Sequence, residues 1–296
     1  MDNSKELLIQ YTNEVEQVIT GYLPDEEGQS KSLTAAMNYS MKAGGKRLRP
    51  LFMREVYRML GGRGREVEPF MAAIEMIHTF SLVHDDLPCI DNDRLRRGRD
   101  TTWVKFGYDM AVLAGDGLYG YAFETAAKAL AFTKDARAVG RCMGILAEKS
   151  GIYGMIGGET TDVELTGKPM TKEQLDFVYR LKTGALLEAS MMIGAILAGA
   201  DEKQVKTVER IASCVGKAFQ IQDDILDVTS SQEVLGKPVL SDEKNHKTTY
   251  VTLYGMEDAR KAVDSLSREA VEGLEGLPGE HGFLRALIMM LVNREK

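Results

Sequence analysis

The sequence predicts an all-α fold, and three observations carry that expectation. Alternating Val, Ile and Thr runs bounded by hairpin turns are absent, so strand signals are close to nil. Helix-start signatures recur along the chain. Glycine- and proline-rich breaks separate helix-length segments, about ten by rough count, with no linker long or polar enough to mark a domain boundary. One domain over residues 1–296 is expected.

The breaks fall at Gly44-Gly45, Gly61-Gly62-Arg63-Gly64, Gly157-Gly158, Gly167-Lys168-Pro169, Gly236-Lys237-Pro238 and Leu277-Pro278-Gly279. Thr171-Lys172-Glu173-Gln174 has the form of a capping box directly after Pro169, so a helix should start there. Ala185 to Ala200 is the most apolar stretch. It is short of a membrane span and carries Glu188, so it reads as a buried core helix. Asp201 is placed to cap the next helix, through Val205, Val208, Ile211, Ala212 and Val215.

Composition narrows the class. Hydrophobic content of 44% supports a sizeable core, and a net charge of -7 argues against a nucleic-acid binder. Cys89, Cys142 and Cys214 are scattered and odd in number, which suits a reducing compartment rather than a disulfide framework. The start Met-Asp-Asn-Ser-Lys-Glu lacks the basic and apolar runs of a signal peptide, and a cytoplasmic location is expected.

Two acidic segments carry the chemistry. The first, His84-Asp85-Asp86-Leu87-Pro88-Cys89-Ile90-Asp91-Asn92-Asp93, follows an apolar run, unlike a solvated helix end. Carboxylates are hard ligands suited to magnesium, which tends to pair one or two of them with phosphate oxygens. Pro88 should break the helix, so Asp91 need not lie a whole number of turns from Asp85. His78 lies about two turns before Asp85, on the same face. A calcium loop at Asp91-Asn92-Asp93 is excluded because Arg94-Leu95-Arg96-Arg97 puts cations where ligands are needed. In the second segment Gln220, Asp223 and Asp227 share a helix face, and Ile221, Ile225 and Val228 form an apolar stripe expected to pack inward. Carboxylates at i and i+4 repel, and a bound cation would relieve that repulsion.

A basic counterpart lies at Gly44-Gly45-Lys46-Arg47-Leu48-Arg49-Pro50, before a helix that Pro50 could open. Glycines allow close backbone approach and a helix N-terminus offers unpaired N–H groups, which together suit a phosphate. Arg96-Arg97-Gly98, Lys182-Thr183-Gly184, Lys237 and Lys247 are further candidates.

In this order and density the motifs resemble the trans-type isoprenyl diphosphate synthases, most closely their bacterial farnesyl diphosphate synthase branch, over nearly the whole chain. The matching segments are Gly44 to Pro50, His84 to Asp93, Arg96 to Gly98, Lys182 to Gly184, Phe219 to Asp227, Gly236 to Tyr250 and Asn293 to Lys296. The resemblance implies an α-helical bundle around a deep central cavity, usually a homodimer. It implies that Asp85, Asp86 and Asp91 hold two magnesium ions and Asp223 a third, bridging an allylic diphosphate, with Asp224 and Asp227 as supporting carboxylates. Arg96, Lys182, Lys237 and Lys247 would add positive charge there, and Thr183 and Gln220 would offer oxygen dipoles to an allylic carbocation. Lys46, Arg49, His78 and Arg97 would bind isopentenyl diphosphate, whose double bond attacks that cation.

Product length is expected to follow Phe80 and Ser81, just upstream of the first motif. On an ideal helix Ser81 lies about 40° from Asp85 and Phe80 about 140° away, so spacing alone does not put Phe80 in a pocket. The family pattern, an aromatic here with two extra residues in the motif, favours a farnesyl product over geranyl or geranylgeranyl. The chain departs from the pattern at Arg94, Asp100, Trp103, Glu159 and Leu240; Glu159 replaces a neutral residue and would either pair with a lysine or weaken diphosphate binding. A silent regulatory homologue usually lacks one acidic motif, and a terpene cyclase would not need the Lys46 and Arg49 segment; both motifs and that segment are present.

Overall fold

A computed structural model describes residues 2–229 and 248–292. Over these residues the chain is almost entirely helical: α1 (Asp2–Gly21), α2 (Lys31–Met41), α3 (Leu48–Met59), α4 (Val67–Asp85), α5 (Thr102–Phe106), α6 (Tyr108–Ala127), α7 (Ala136–Ser150), α8 (Met155–Glu164), α9 (Lys172–Val178), α10 (Ala185–Leu197), α11 (Glu202–Thr229), α12 (Tyr250–Tyr254), α13 (Met256–Glu275) and α14 (Gly282–Val292). The all-α expectation holds. No described helix is long and apolar enough to cross a membrane.

The predicted helix starts are present for the predicted reason. Thr171 Oγ1 accepts from the Gln174 amide at 3.3 Å while Gln174 Oε1 accepts from the Thr171 amide at 2.8 Å. Asp201 and Gln204 make the same reciprocal pair ahead of α11. Helix α10 is buried along nearly all its length against α3, α4, α7 and α11. Its one charge, Glu188, is matched by Lys149 of α7, which also bonds Glu209 of α11 at 2.8 Å. Gly194 lets α10 ride on α3; a Cβ there would lie 2.3 Å from the Met53 carbonyl oxygen.

One strand pair departs from the expectation. Leu95–Arg96 and Arg99–Asp100 form a two-stranded antiparallel ladder, with Leu95 opposite Asp100. Its turn residues Arg97 and Gly98 both have positive φ, 54° and 75°, the backbone that matches the twist of a tight hairpin. Two residues per strand are too few for an alternating pattern to register. The second acidic segment also differs in one respect: Ile221 and Ile225 pack inward, but Val228 is 47% exposed near the end of α11. Asp224 and Asp227 are buried in place of the third apolar residue.

Candidate active site

Helix α4 runs through the core and delivers Asp85 and Asp86 at its C-terminal end. That end carries the negative pole of the helix dipole, an unfavourable place for two carboxylates without a cation. Beyond it the chain folds back: the Asp91 amide donates to the Asp85 carbonyl at 2.9 Å and the Asn92 amide to the Leu87 carbonyl at 3.0 Å. Asn92 takes the left-handed conformation this return needs, and Pro88 lies in the reversal just beyond the helix, as expected.

The two adjacent aspartates have different surroundings. Asp86 is buried and gripped by Arg96, whose Nε donates to Oδ1 at 2.8 Å and whose Nη2 lies 2.6 Å from the same oxygen. Burial pushes the Asp86 carboxyl up, and Arg96 pulls it back. Asp85 faces the cavity. Its pKa is raised to about 7, first by burial and then by the Glu159 carboxylate, with Lys182 opposing. Among the described residues no three carboxylate, imidazole or thiol groups converge on one point as a ready-made metal cage. Hard oxygen donors and an Asp85 charge that a cation would relieve nonetheless fit magnesium completed by phosphate oxygens and water.

Lys182 and Thr183 sit on a π-helical turn, Tyr179–Gly184, between α9 and α10. Such single wide turns break the regular ladder and are frequent at functional sites. Thr183 Oγ1 donates to Gln220 Oε1 at 3.0 Å, so the two expected dipoles adjoin. Gly216 of α11 allows this, since a Cβ there would lie 2.9 Å from the Gly184 Cα. Buried Asp224 clamps the same region, accepting from the Tyr179 hydroxyl at 2.5 Å and the Tyr250 amide at 2.7 Å. Asp223 is half-buried on the neighbouring face.

Glu159 pairs with a lysine, one of the two outcomes its sequence position leaves open. Its Oε2 lies 2.7 Å from Lys182 Nζ, and Asp162 Oδ2 lies at the same distance. The two carboxylates raise the lysine pKa despite its burial. Asp162 stands outside the sequence motifs; its spacing of three from Glu159 on α8 is the local pattern that links it to the site.

The basic segment divides its labour. Arg47, in the left-handed conformation before α3, turns into the core, bonding Glu75 at 2.7 Å, Glu16 and the Met41 carbonyl. Helix α3 therefore opens at Leu48, with Pro50 already inside its first turn. Arg49 lines the cavity; its buried Nε has no hydrogen-bond partner, and burial, then Arg97, lowers its pKa. Arg97 lies over the glycine loop and donates to the Gly44 carbonyl. A Cβ on Gly45 would meet that guanidinium at 2.8 Å. Enclosure and four nearby arginines, Arg49 foremost, push the His78 pKa well down. Arg49, Arg97 and His78 thus face one another, while Lys46 is exposed on the same loop.

These groups open on a cavity of about 700 Å³ lined by Arg49, His78, Asp85, Glu159, Lys182 and Thr183. Its apolar part includes Phe80, Tyr119, Met155, Ile156 and Val163, with Ser81 also on the wall. The Phe80 ring stands 5.0 Å from both His84 and Tyr119 rings, closing that side. Tyr119 comes from α6, and nothing in its local sequence marked it. Among the departures, Arg94 stacks 5.3 Å over Trp103, whose Nε1 donates to the Asp93 carbonyl, so two of them compensate each other. The Asp100 carbonyl accepts from Tyr39. Lys237, Leu240 and Lys247 lie outside the described residues.

An all-α fold with carboxylates, cations and an apolar wall around one cavity suits ligands with a charged head and an apolar chain. Comparison with known proteins makes this specific. Residues 30–275 match the family model for polyprenyl synthetase. The chain is 43% identical to farnesyl diphosphate synthase of Geobacillus stearothermophilus, over 85% of this chain and 86% of that one. It is 45% identical to a chloroplastic geranylgeranyl pyrophosphate synthase of Capsicum annuum, over 81% of this chain and 65% of that protein, so it spans just under two thirds of that relative. Its fold superposes on an FPP/GFPP synthase from Zymomonas mobilis with a TM-score of 0.86 at 32% identity, covering 98% of this chain and 99% of the other. The chain belongs to the polyprenyl synthetase family. It is an enzyme of the prenyltransferase class.

Proposed function

We propose that the protein condenses isopentenyl diphosphate with dimethylallyl and then geranyl diphosphate, releasing diphosphate and ending at farnesyl diphosphate. One observation carries this reading: a single cavity joins two separate polar stations, Asp85 with Lys182 and Arg49 with His78, the second backed by the charge of Arg97, above an apolar wall. Two stations suit two diphosphates, as coupling requires and simple hydrolysis does not.

Asp85, Asp86, Asp91 and Asp223 would hold magnesium, about three ions in all, at the allylic station. When bound, magnesium supplies Lewis-acid stabilisation of the departing diphosphate. Arg96 and Lys182 add charge to that leaving group, with Lys237 and Lys247 as further proposed partners. Thr183 and Gln220 present oxygen dipoles toward the allylic carbon, stabilising positive charge without competing as nucleophiles. Arg49, Lys46, His78 and Arg97 orient isopentenyl diphosphate, and neutral His78 donates a hydrogen bond to it. The apolar wall excludes water that would quench the cation. The proton lost from the new chain passes to released diphosphate.

Product length rests on Phe80, backed by Tyr119 and His84 across the apolar wall. A geranylgeranyl product is the second reading, because farnesyl and geranylgeranyl synthases are similar to this chain at nearly equal identity. We further propose one domain, a cytoplasmic location and a homodimer; Leu113, Ile152 and Tyr153 leave apolar surface exposed that a second copy would cover. Incubation with magnesium, isopentenyl diphosphate and each allylic primer, followed by chromatography of the products, tests the reading. Absence of turnover with every primer overturns it.

A further inference from the structure

Lys182 stands in the wall between two cavities. The larger one is lined by Asp85 and Glu159, and a smaller one beside it by Asp162, Gln220 and Asp224; Lys182 and Thr183 line both. The ammonium is held by one carboxylate on each side, Glu159 and Asp162, both at 2.7 Å. Lys182, Glu159 and Asp162 are each less than one third exposed, so water screens the group incompletely. Asp85 adds a third carboxylate that feels Glu159 directly. Lys182 with Glu159 and Asp162 alone carries a formal charge of -1 where a diphosphate must bind.

We propose that Glu159 is a positioning residue that makes diphosphate capture at Lys182 conditional on a divalent cation. This rests on the assignment of Asp85 and Lys182 to the allylic diphosphate station. Without the cation, Glu159 keeps the ammonium occupied and repels an incoming diphosphate. A cation at Asp85 gives the Glu159 carboxylate a second partner, and the long Glu159 side chain can turn to it. The ammonium is then released toward phosphate oxygens on the larger-cavity side, while Asp162 keeps its place from the other. A neutral amide at position 159 could neither hold the lysine as an ion pair nor repel the anion. The carboxylate thereby selects the metal-bound form of the substrate over the free anion. No covalent step is involved; the device exchanges ion pairs.

Inorganic diphosphate is the probe, with binding measured by calorimetry on the full chain in EDTA and again in saturating magnesium. Glu159→Gln should bind diphosphate about tenfold or more tightly than wild type in EDTA, the scale expected for removing one charge from a partly dehydrated site. In magnesium the difference should fall below about threefold, since the cation offsets the same charge. Glu159→Asp, which keeps the charge, should retain the wild-type metal requirement, and this separates electrostatics from a packing defect. An equal ratio with and without magnesium, or no gain in EDTA, overturns the role of Glu159. If magnesium fails to strengthen diphosphate binding by wild type at all, the assignment of the station falls and the inference falls with it.

Discussion

The backbone of Gly158 presses against the π turn so closely that a Cβ there would lie 2.3 Å from the Lys182 amide nitrogen. This contact lets α8 bring Glu159 and Asp162 to the lysine ammonium. In Gly158→Ala the π turn must shift, because the opposing atoms are backbone and cannot swing aside. Overpacking of this kind costs about 1–3 kcal/mol. The variant should lose stability in urea unfolding and at least about tenfold in kcat, since displacements near 1 Å at a reacting site have large rate effects.

Arg47 and Arg49, two residues apart, should behave in opposite ways. Arg47→Met leaves Glu75 buried without its partner, and breaking such a pair costs about 3–5 kcal/mol. A melting temperature lower by about 6 °C or more is expected, at roughly 2–4 °C per kcal/mol for a chain of this size. Arg49→Met removes a confined guanidinium whose Nε is unpaired, so the melting temperature should stay level or rise. Its KM for isopentenyl diphosphate should nevertheless rise by about tenfold or more, the cost of one lost charged contact. Matched losses of stability in both variants would contradict this division.

Asp85 sets a pH dependence in metal-free protein. Its carboxyl titrates near 7 when folded, against a usual 3.8. Between these values the folded state binds more protons than the unfolded one, so this group's stabilising contribution is complete below about 3.8 and lost as pH rises through about 7. His78, with its pKa held down, works in the opposite direction below about 6.5, so wild type alone does not isolate Asp85. Asp85→Asn does. In EDTA the variant should be the more stable protein at pH 8, with the gap closing as pH falls from 7 toward 4, followed by thermal denaturation. Magnesium should raise wild-type stability at pH 8 and the variant's much less.

Phe80→Ala should lengthen the product. Its ring meets Tyr119 and His84 at 5.0 Å, so truncation opens the apolar wall toward α6 without touching either polar station. Tyr119→Ala should act in the same direction and add to it, because the two rings form one barrier. Chromatography of the hydrolysed products reads the chain length. An unchanged distribution in Phe80→Ala would remove that residue from the account.

The residues proposed to carry the chemistry were legible in the sequence because they lie in short, local patterns. Asp85, Asp86 and Asp91 fall within seven residues, and Thr183 and Gln220 sit in motifs whose residue types suit their proposed work. Capping pairs such as Thr171 with Gln174 could be read because both partners lie in one turn. Two features escaped for the opposite reason. The hairpin at Leu95–Arg96 and Arg99–Asp100 is too short to show a period, and Val228 follows the apolar stripe on α11 but projects past the core.

What the sequence determined by itself was the helical class, the two acidic segments and the presence of cations enough for two anions. These depend on residue type and on periods of a few residues. Tertiary structure decided which charges meet: that Arg96 takes Asp86 and leaves Asp85 to the cavity, that Arg47 turns to the core while Arg49 does not, and that Glu159 reaches Lys182. Each pairing joins residues on different elements, and Coulomb energy depends on separation in space, to which distance along the chain is no guide.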